Sequence, residues 1–258
     1  MPAEATHVLD LAGPDELGIA HLRFTTGSPA NTMNLPFVEA FLDLTSELAG
    51  RDDVRVLLVQ GPDGTFSGGA DLGRIADMDD DTWAHYIRSE FALFAAFDVL
   101  PFITIAVIDG VCLGNAAEFA LACDLRLMSD RARFGLPETA VGFQGPAQRL
   151  TRHVGLGTAK RLLFEGVVLS GVESRALELA QWVAPAAELD AVARSTAERY
   201  AKLPPVAVLE TKRNLAEAYA LPPMENEIRS SLTTAGTEDA LEGRTAFFEK
   251  RAPVFRGR

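Results

Sequence analysis

Two glutamates stand where glutamate is unusual. Glu118 lies between Ala117 and Phe119 in an otherwise apolar run, and Glu138 follows Pro137 in Phe134-Gly-Leu-Pro-Glu138. A carboxyl in apolar surroundings resists ionisation, so its pKa rises toward neutrality and it can move a proton there. A strand across Leu125 to Met128 would separate the two and could bring their carboxyls together. Taken alone, each fits a surface or ion-paired glutamate equally well. Two small-residue junctions add chemistry: Phe66-Ser-Gly-Gly-Ala70-Asp71-Leu72 and Asp109-Gly-Val-Cys-Leu-Gly114-Asn115-Ala116-Ala117-Glu118. Small residues let a ligand reach the backbone, and N–H groups at a helix start can face an anion. Two such N–H groups converging on one point would form an oxyanion hole. Either loop alone is also ordinary turn chemistry.

The elements that must position these residues alternate. His21 to Thr25 reads as a strand and Gly27 to Asn31 as a turn. Asn34 reads as an N-cap with Pro36 in the first turn, opening a helix that Gly50 ends. Val54–Val59 and Ile103–Ile108 are continuous apolar strands of the buried kind. Between them come a glycine-rich loop, Gly61 to Gly73, and a helix over Thr82–Phe97. Asn115–Cys123 reads as a helix and Leu125–Met128 as a third strand. The alternation predicts an α/β fold with parallel pairing. From Leu150 the pattern turns helical, with Ser170 and Glu173 spaced for a capping box. Helical segments over Glu188–Leu203, Val206–Ala220 and Met224–Thr234 are parted by Pro204-Pro205 and Pro222-Pro223, and a helical tail starts near Thr237.

A chain of 258 residues is long enough for one sizeable core. Its 48% hydrophobic and 23% charged residues exclude a disordered chain. A net charge of −12 would repel a phosphate backbone, so no nucleic-acid partner is expected. The acidic run Asp77 to Asp81 reads as a solvated loop or a helix start. Cys112 and Cys123 read as buried free thiols, and no metal-ligand spacing occurs. No run of 18 apolar residues appears, so no membrane span is expected. Met1 to Asp10 shows no signal-peptide pattern, and a cytoplasmic protein is the resulting expectation. His85 and His153 fall on helical segments and read as surface or capping groups.

Taken in order, the motifs resemble the enoyl-CoA hydratase/isomerase (crotonase) family. Those motifs are Phe66 to Leu72, Ile105 to Asp124, Phe134 to Glu138, Gln148 to Arg152, and Glu242 to Arg251. The resemblance implies a crotonase-type spiral of ββα turns over 1–195. A C-terminal helical region, 196–258, would build a homotrimer or hexamer. It implies an acyl-CoA thioester as substrate, with coenzyme A part of that substrate and no further cofactor. The backbone N–H groups of Ala70 and Asn115 would hold the thioester oxygen. Ala70, Asp71, Leu72, Gly73 and Gly114 would line the CoA site, although Asp71 also reads as a structural cap. Glu118 would act as base on a water and Glu138 would protonate the α-carbon, hydrating a 2-enoyl-CoA. An isomerase or decarboxylase working through an acyl-CoA enolate is the alternative. A non-catalytic CoA-binding or scaffolding protein is the reading from another class. Gln144 could enter the acyl pocket, and Phe247 and Phe248 pack in the core or line a ligand pocket.

Three departures from the family pattern bear on this. Asn115 and Ala116 replace glycines after Gly114, which should narrow the acyl pocket. Gly142 to Ala147 is shorter than the family's glycine-rich stretch, which leaves the water site open to question. Asn31 stands where the family often has a CoA-phosphate lysine, a charge that Lys250 could replace.

Overall fold

In β3 (Val56–Gln60) and β5 (Ile103–Ile108) every residue is buried. Strands of this kind need cover on both faces of their sheet. The computed structural model, which describes residues 7–218, 228, 232 and 235–254, provides it. Antiparallel β1 (Val8–Ala12) and β2 (Ile19–Thr25) begin a six-stranded sheet in the order β1-β2-β3-β5-β7-β10, otherwise parallel. Here β7 is Leu125–Ser129 and β10 is Trp182–Ala184. A smaller sheet runs β4 (Thr65–Ser67), β6 (Val111–Leu113), β8 (Arg133–Gly135), β9 (Val168–Ser170). Three times the chain passes from the large sheet to the small one: β3 to β4, β5 to β6, β7 to β8. Helices α2 (Leu72–Ala76), α3 (Asp80–Asp98) and α4 (Asn115–Ala122) carry it back. This is the expected spiral of ββα turns.

Local chemistry sets the element ends. The side chain of Asn34 accepts the Phe37 N–H at 3.0 Å and opens α1 (Leu35–Ala49), with Pro36 in the first turn and Gly50 at the C-cap. The acidic run is a helix start. Asp79 accepts the Thr82 N–H at 2.8 Å, and Asp80 and Asp81 lie in the first turn of α3, where the helix dipole favours negative charge. Ser170 and Glu173 form the capping box that begins α7 (Gly171–Ala176). Cys112 and Cys123 are buried and free. The sequence shows β9 and β10 only as part of a helical region, because three residues span too little of a strand's period to register. Two further helices, α5 (Ala147–Leu150) and α6 (Leu156–Glu165), follow the turn after Glu138.

Two cores result. The larger is bounded by α1, α3 and α4 and is rich in aromatic rings, with Phe119 at its hub. Its ring centroid lies 4.8 Å from Phe97 and 5.2 Å from Phe41, so the residue after Glu118 anchors α4. The smaller core covers the other face of the large sheet, where Val56, Leu58, Ile105 and Val107 meet Ala193 and Ala197 of α8 (Leu189–Ala201). The division expected at 195/196 falls inside α8. Beyond it, α9 (Pro205–Ala218) is tied to the core by Lys212, whose Nζ donates to Asp124 and to the Phe102 carbonyl, both at 2.8 Å. The tail helix, α10 (Glu238–Glu249), leaves Leu241, Phe247 and Phe248 exposed. Apart from Ile228 and Leu232, the helix expected over Met224–Thr234 lies outside the described residues. Among the described residues no helix is long and apolar enough to cross a membrane.

Arg126 on β7 is 1% exposed and makes no ion pair among the described residues. Its guanidinium instead donates to three carbonyls: Leu179 at 2.6 Å, Cys123 at 2.9 Å and Ala120 at 3.3 Å. Two of these belong to the C-terminal end of α4, which otherwise leaves orphan acceptors. Burial lowers its pKa to about 10, still charged at neutrality. Arg126→Leu strands those acceptors and should cost about 3 kcal/mol of unfolding free energy. Urea denaturation with an unchanged m-value measures the loss.

Candidate active site

The two small-residue loops meet. Met33 pairs with Ala70 in an isolated parallel bridge, donating to the Gly69 carbonyl at 2.8 Å and accepting the Asp71 N–H at 3.3 Å. Gly69 has φ +91°, and any Cβ there would collide with the Leu113 carbonyl oxygen. Only glycine satisfies both demands, and its presence lets the chain at Ala70 lie against the chain at Leu113–Asn115. Gly114, at φ +60°, turns β6 into α4, and its N–H donates to Gly135 on the neighbouring strand at 2.9 Å. Beside this contact opens a cavity of about 230 Å³.

Of the expected site residues, Ala70, Leu72, Gly114, Asn115 and Glu138 line that cavity. Gln144 lines it too, and so does Phe247 but not Phe248. Asp71 and Gly73 do not. Asp71 is the N-cap of α2, accepting the Arg74 N–H at 3.1 Å and the Thr32 hydroxyl at 3.4 Å; Gly73 lies exposed on that helix. Glu118 does not reach the cavity wall either. It is 5% exposed, and its Oε1 lies 3.5 Å from the Arg149 guanidinium on α5. Arg149 is itself buried and takes both oxygens of Asp98 at 2.8 and 2.9 Å. The buried cation thus stands against Glu118. Asn31 is a buried pin: its Oδ1 accepts the Thr26 N–H at 2.8 Å and its Nδ2 donates to the Phe66 carbonyl at 2.8 Å. Lys250 is exposed at the C-cap of α10. His85 pairs with Glu39 on the surface. His153, its pKa pushed down to about 3 mainly by burial, contacts the Leu121 carbonyl at 3.2 Å. Neither histidine lines the cavity.

Sequence reasoning missed Glu90. It stands on α3 in the cavity wall, 4% exposed, and its Oε1 accepts hydrogen bonds from Tyr86 Oη at 3.0 Å and from Asn115 Nδ2. The signal was present, since Tyr86, Ile87, Phe91, Phe94 and Phe97 form an apolar stripe at helical spacing and Glu90 interrupts it. The bond from Asn115 also changes the expected effect of that residue, because its side chain is drawn toward α3.

Both cavity carboxyls resist ionisation. Burial pushes Glu138 up to about 8, helped by the nearby Glu90 and opposed by its own backbone N–H. Glu90 is pushed to about 7, again chiefly by burial, with its hydrogen bonds from Asn115 and Tyr86 holding it down. The Oε2 of Glu138 is buried with no hydrogen-bond partner among the described residues. Its Oε1 lies 3.8 Å from where a Cβ on Gly114 would stand. An orphaned carboxyl beside two convergent loops is an arrangement for moving a proton on a bound ligand.

Residues 15–258 match the sequence model of the family described as Enoyl-CoA hydratase/isomerase. The chain belongs to this family. Human enoyl-CoA hydratase domain-containing protein 2, mitochondrial, is 36% identical over 264 residues, covering 96% of this chain and 88% of that protein. Among solved structures, an enoyl-CoA hydratase from Bacillus anthracis superposes with a TM-score of 0.77 at 29% identity, covering 98% of this chain and 99% of that one. Human mitochondrial delta3-delta2-enoyl-CoA isomerase superposes with a TM-score of 0.87 at 21% identity over 94% of this chain and 97% of that one, which shows the shared crotonase fold. The expectation of a cytoplasmic protein does not stand. The similar human, bovine, Arabidopsis and mouse proteins are all named as mitochondrial.

The two raised carboxyls link the site to stability. Each binds its proton more tightly in the folded chain than in the unfolded one. Their contribution is therefore fully present below the ordinary carboxyl value of 4.5 and is lost as pH rises through about 7 and 8. Glu138→Gln removes one such group. Its melting temperature should gain on that of the wild type as pH rises from about 6 to about 9. Differential scanning calorimetry across that range reads the difference, and parallel curves would contradict it.

Proposed function

We propose that this member of the enoyl-CoA hydratase/isomerase family adds water across the double bond of a 2-enoyl-CoA. The observation that carries the reading is the buried carboxyl of Glu138, its Oε2 without a hydrogen-bond partner among the described residues, beside the junction of the Ala70 and Asn115 loops. The thioester oxygen sits between the backbone N–H groups of Ala70 and Asn115, which take up the negative charge that develops there. Ala70, Leu72 and Gly114, which line the cavity, run along the CoA portion. As a water oxygen bonds to the β-carbon, the double-bond electrons shift to the α-carbon, which takes its proton from Glu138. The similar proteins named as enoyl-CoA hydratases support this direction of chemistry. A non-catalytic CoA-binding role leaves the buried orphan carboxyl without a purpose, since burying it costs stability.

Double-bond isomerisation is the second reading. There one carboxyl removes the α-proton of a 3-enoyl-CoA and returns it at the γ-carbon. It is favoured by the position of Glu118 against Arg149, away from the cavity wall. Incubating the protein with 2-enoyl-, 3-enoyl- and malonyl-CoA esters, followed by mass spectrometry, separates hydration, isomerisation and decarboxylation. Glu138→Gln should lower kcat/KM for hydration by about 10²–10⁴-fold. Near-wild-type turnover in that variant would sink the assignment.

The same reading carries an assembly. The exposed apolar side chains of the tail region, among them Val206, Leu215 and Leu241, suit burial against further copies of the chain as a trimer or hexamer. Light scattering should give three or six chains at micromolar concentration, and a monomer would contradict it.

A further inference from the structure

Hydration of a double bond needs two proton transfers. One delivers a proton to the α-carbon, and the other removes a proton from the attacking water. Glu138 serves the first. The carboxylate expected for the second, Glu118, lies against Arg149 and not in the cavity wall. Glu90 does lie in that wall. From α3 it reaches the same Gly114–Asn115 turn that Glu138 approaches, because Asn115 Nδ2 donates to Glu90 Oε1. Both recorded donors, Asn115 and Tyr86, go to Oε1, which leaves Oε2 without a partner among the described residues and available to a water.

The surroundings of Glu90 accommodate both of its protonation states. The Tyr86 hydroxyl has one proton and two acceptors in reach: Glu90 Oε1 at 3.0 Å and the Met33 carbonyl at 3.1 Å. Asn115 Nδ2 also donates to the Tyr86 oxygen at 2.9 Å. When Glu90 is ionised, Tyr86 donates to it. When Glu90 takes up a proton at Oε2, Oε1 remains an acceptor, so the bonds from Tyr86 and Asn115 both stand.

We infer that Glu90 is the proton acceptor for the attacking water, in the place expected for Glu118. The inference rests on the hydratase reading. In the step, the Glu90 carboxylate takes one proton from water while the water oxygen bonds to the β-carbon. The double-bond electrons move to the α-carbon, where they form a C–H bond with the proton of Glu138. The product is a 3-hydroxyacyl-CoA. Glu90 is left protonated and Glu138 ionised, and exchange with solvent resets the pair.

Two assays on the full chain divide the roles. One follows hydration of a short 2-enoyl-CoA. The other follows exchange of the α-protons of a saturated acyl-CoA in D₂O by mass spectrometry, a reaction that needs Glu138 and the oxyanion donors but no attacking water. Glu90→Gln should lower hydration by about 10²–10⁴-fold while α-exchange continues near the wild-type rate. The retained exchange shows that the variant is folded with an intact thioester site. Glu138→Gln should lose both. If Glu90→Gln hydrates like the wild type while Glu118→Gln shows the split, the water base is Glu118 and the inference falls with the hydratase reading intact. Loss of both activities in Glu90→Gln would mean that it only props Asn115, and would also overturn the inference. A wild type that exchanges α-protons but hydrates no 2-enoyl ester would instead overturn the hydratase reading, and this inference with it.

Discussion

The architecture depends on one backbone contact, the approach of Gly69 to the Leu113 carbonyl. No side chain fits between them, and the positive φ at Gly69 favours glycine. That contact joins successive turns of the spiral at the edge of the small sheet. It sets Ala70 beside Asn115, and with them the only two loops whose N–H groups are proposed to hold a thioester. The buried pin at Asn31, the capped helix α2 and the hub ring of Phe119 all serve to keep the two loops from drifting apart. Ångström-scale placement of this kind is what lets fixed dipoles stabilise developing charge without reorganising.

The buried carboxyls fall into two groups. In one, Arg149 pairs with Asp98 at 2.8 Å and its guanidinium lies 3.5 Å from Glu118. In the other, Glu90 and Glu138 have no ion pair among the described residues, and burial shifts their proton affinity toward neutrality. The difference lies in the neighbouring cation, which Glu118 has in Arg149.

Much of the fold was legible in the sequence. The apolar strands Val54–Val59 and Ile103–Ile108, the Asn34 cap and the Ser170–Glu173 box carry their structure in local pattern, and family resemblance supplied the spiral. Short strands were not legible, because β9 and β10 are too brief to show a period. For the site, Ala70, Asn115 and Glu138 were visible because they sit in recognisable loops. Glu90 and the Arg149–Glu118 pair were not, for the same physical reason. Each depends on contacts between residues 25 or more positions apart, which no local window contains. A charged residue on the apolar stripe of α3 was nonetheless a signal, one that periodicity shows when the exceptions are read as carefully as the rule.

The tail helix closes the site through backbone contacts. Gly142, just after the Glu138 turn, leaves no room for a Cβ, which would stand 2.6 Å from Ala240 Cα; Gly243 is equally tight, at 2.6 Å from Val141. Phe247, one turn further along, then completes the cavity wall. Proteins are made from the N-terminus, so the spiral and both convergent loops leave the ribosome well before this helix does. A nascent chain would thus carry both convergent loops with one cavity wall open. The cavity gains the wall that Phe247 supplies only when the last helix docks, so its full enclosure is a late property of synthesis.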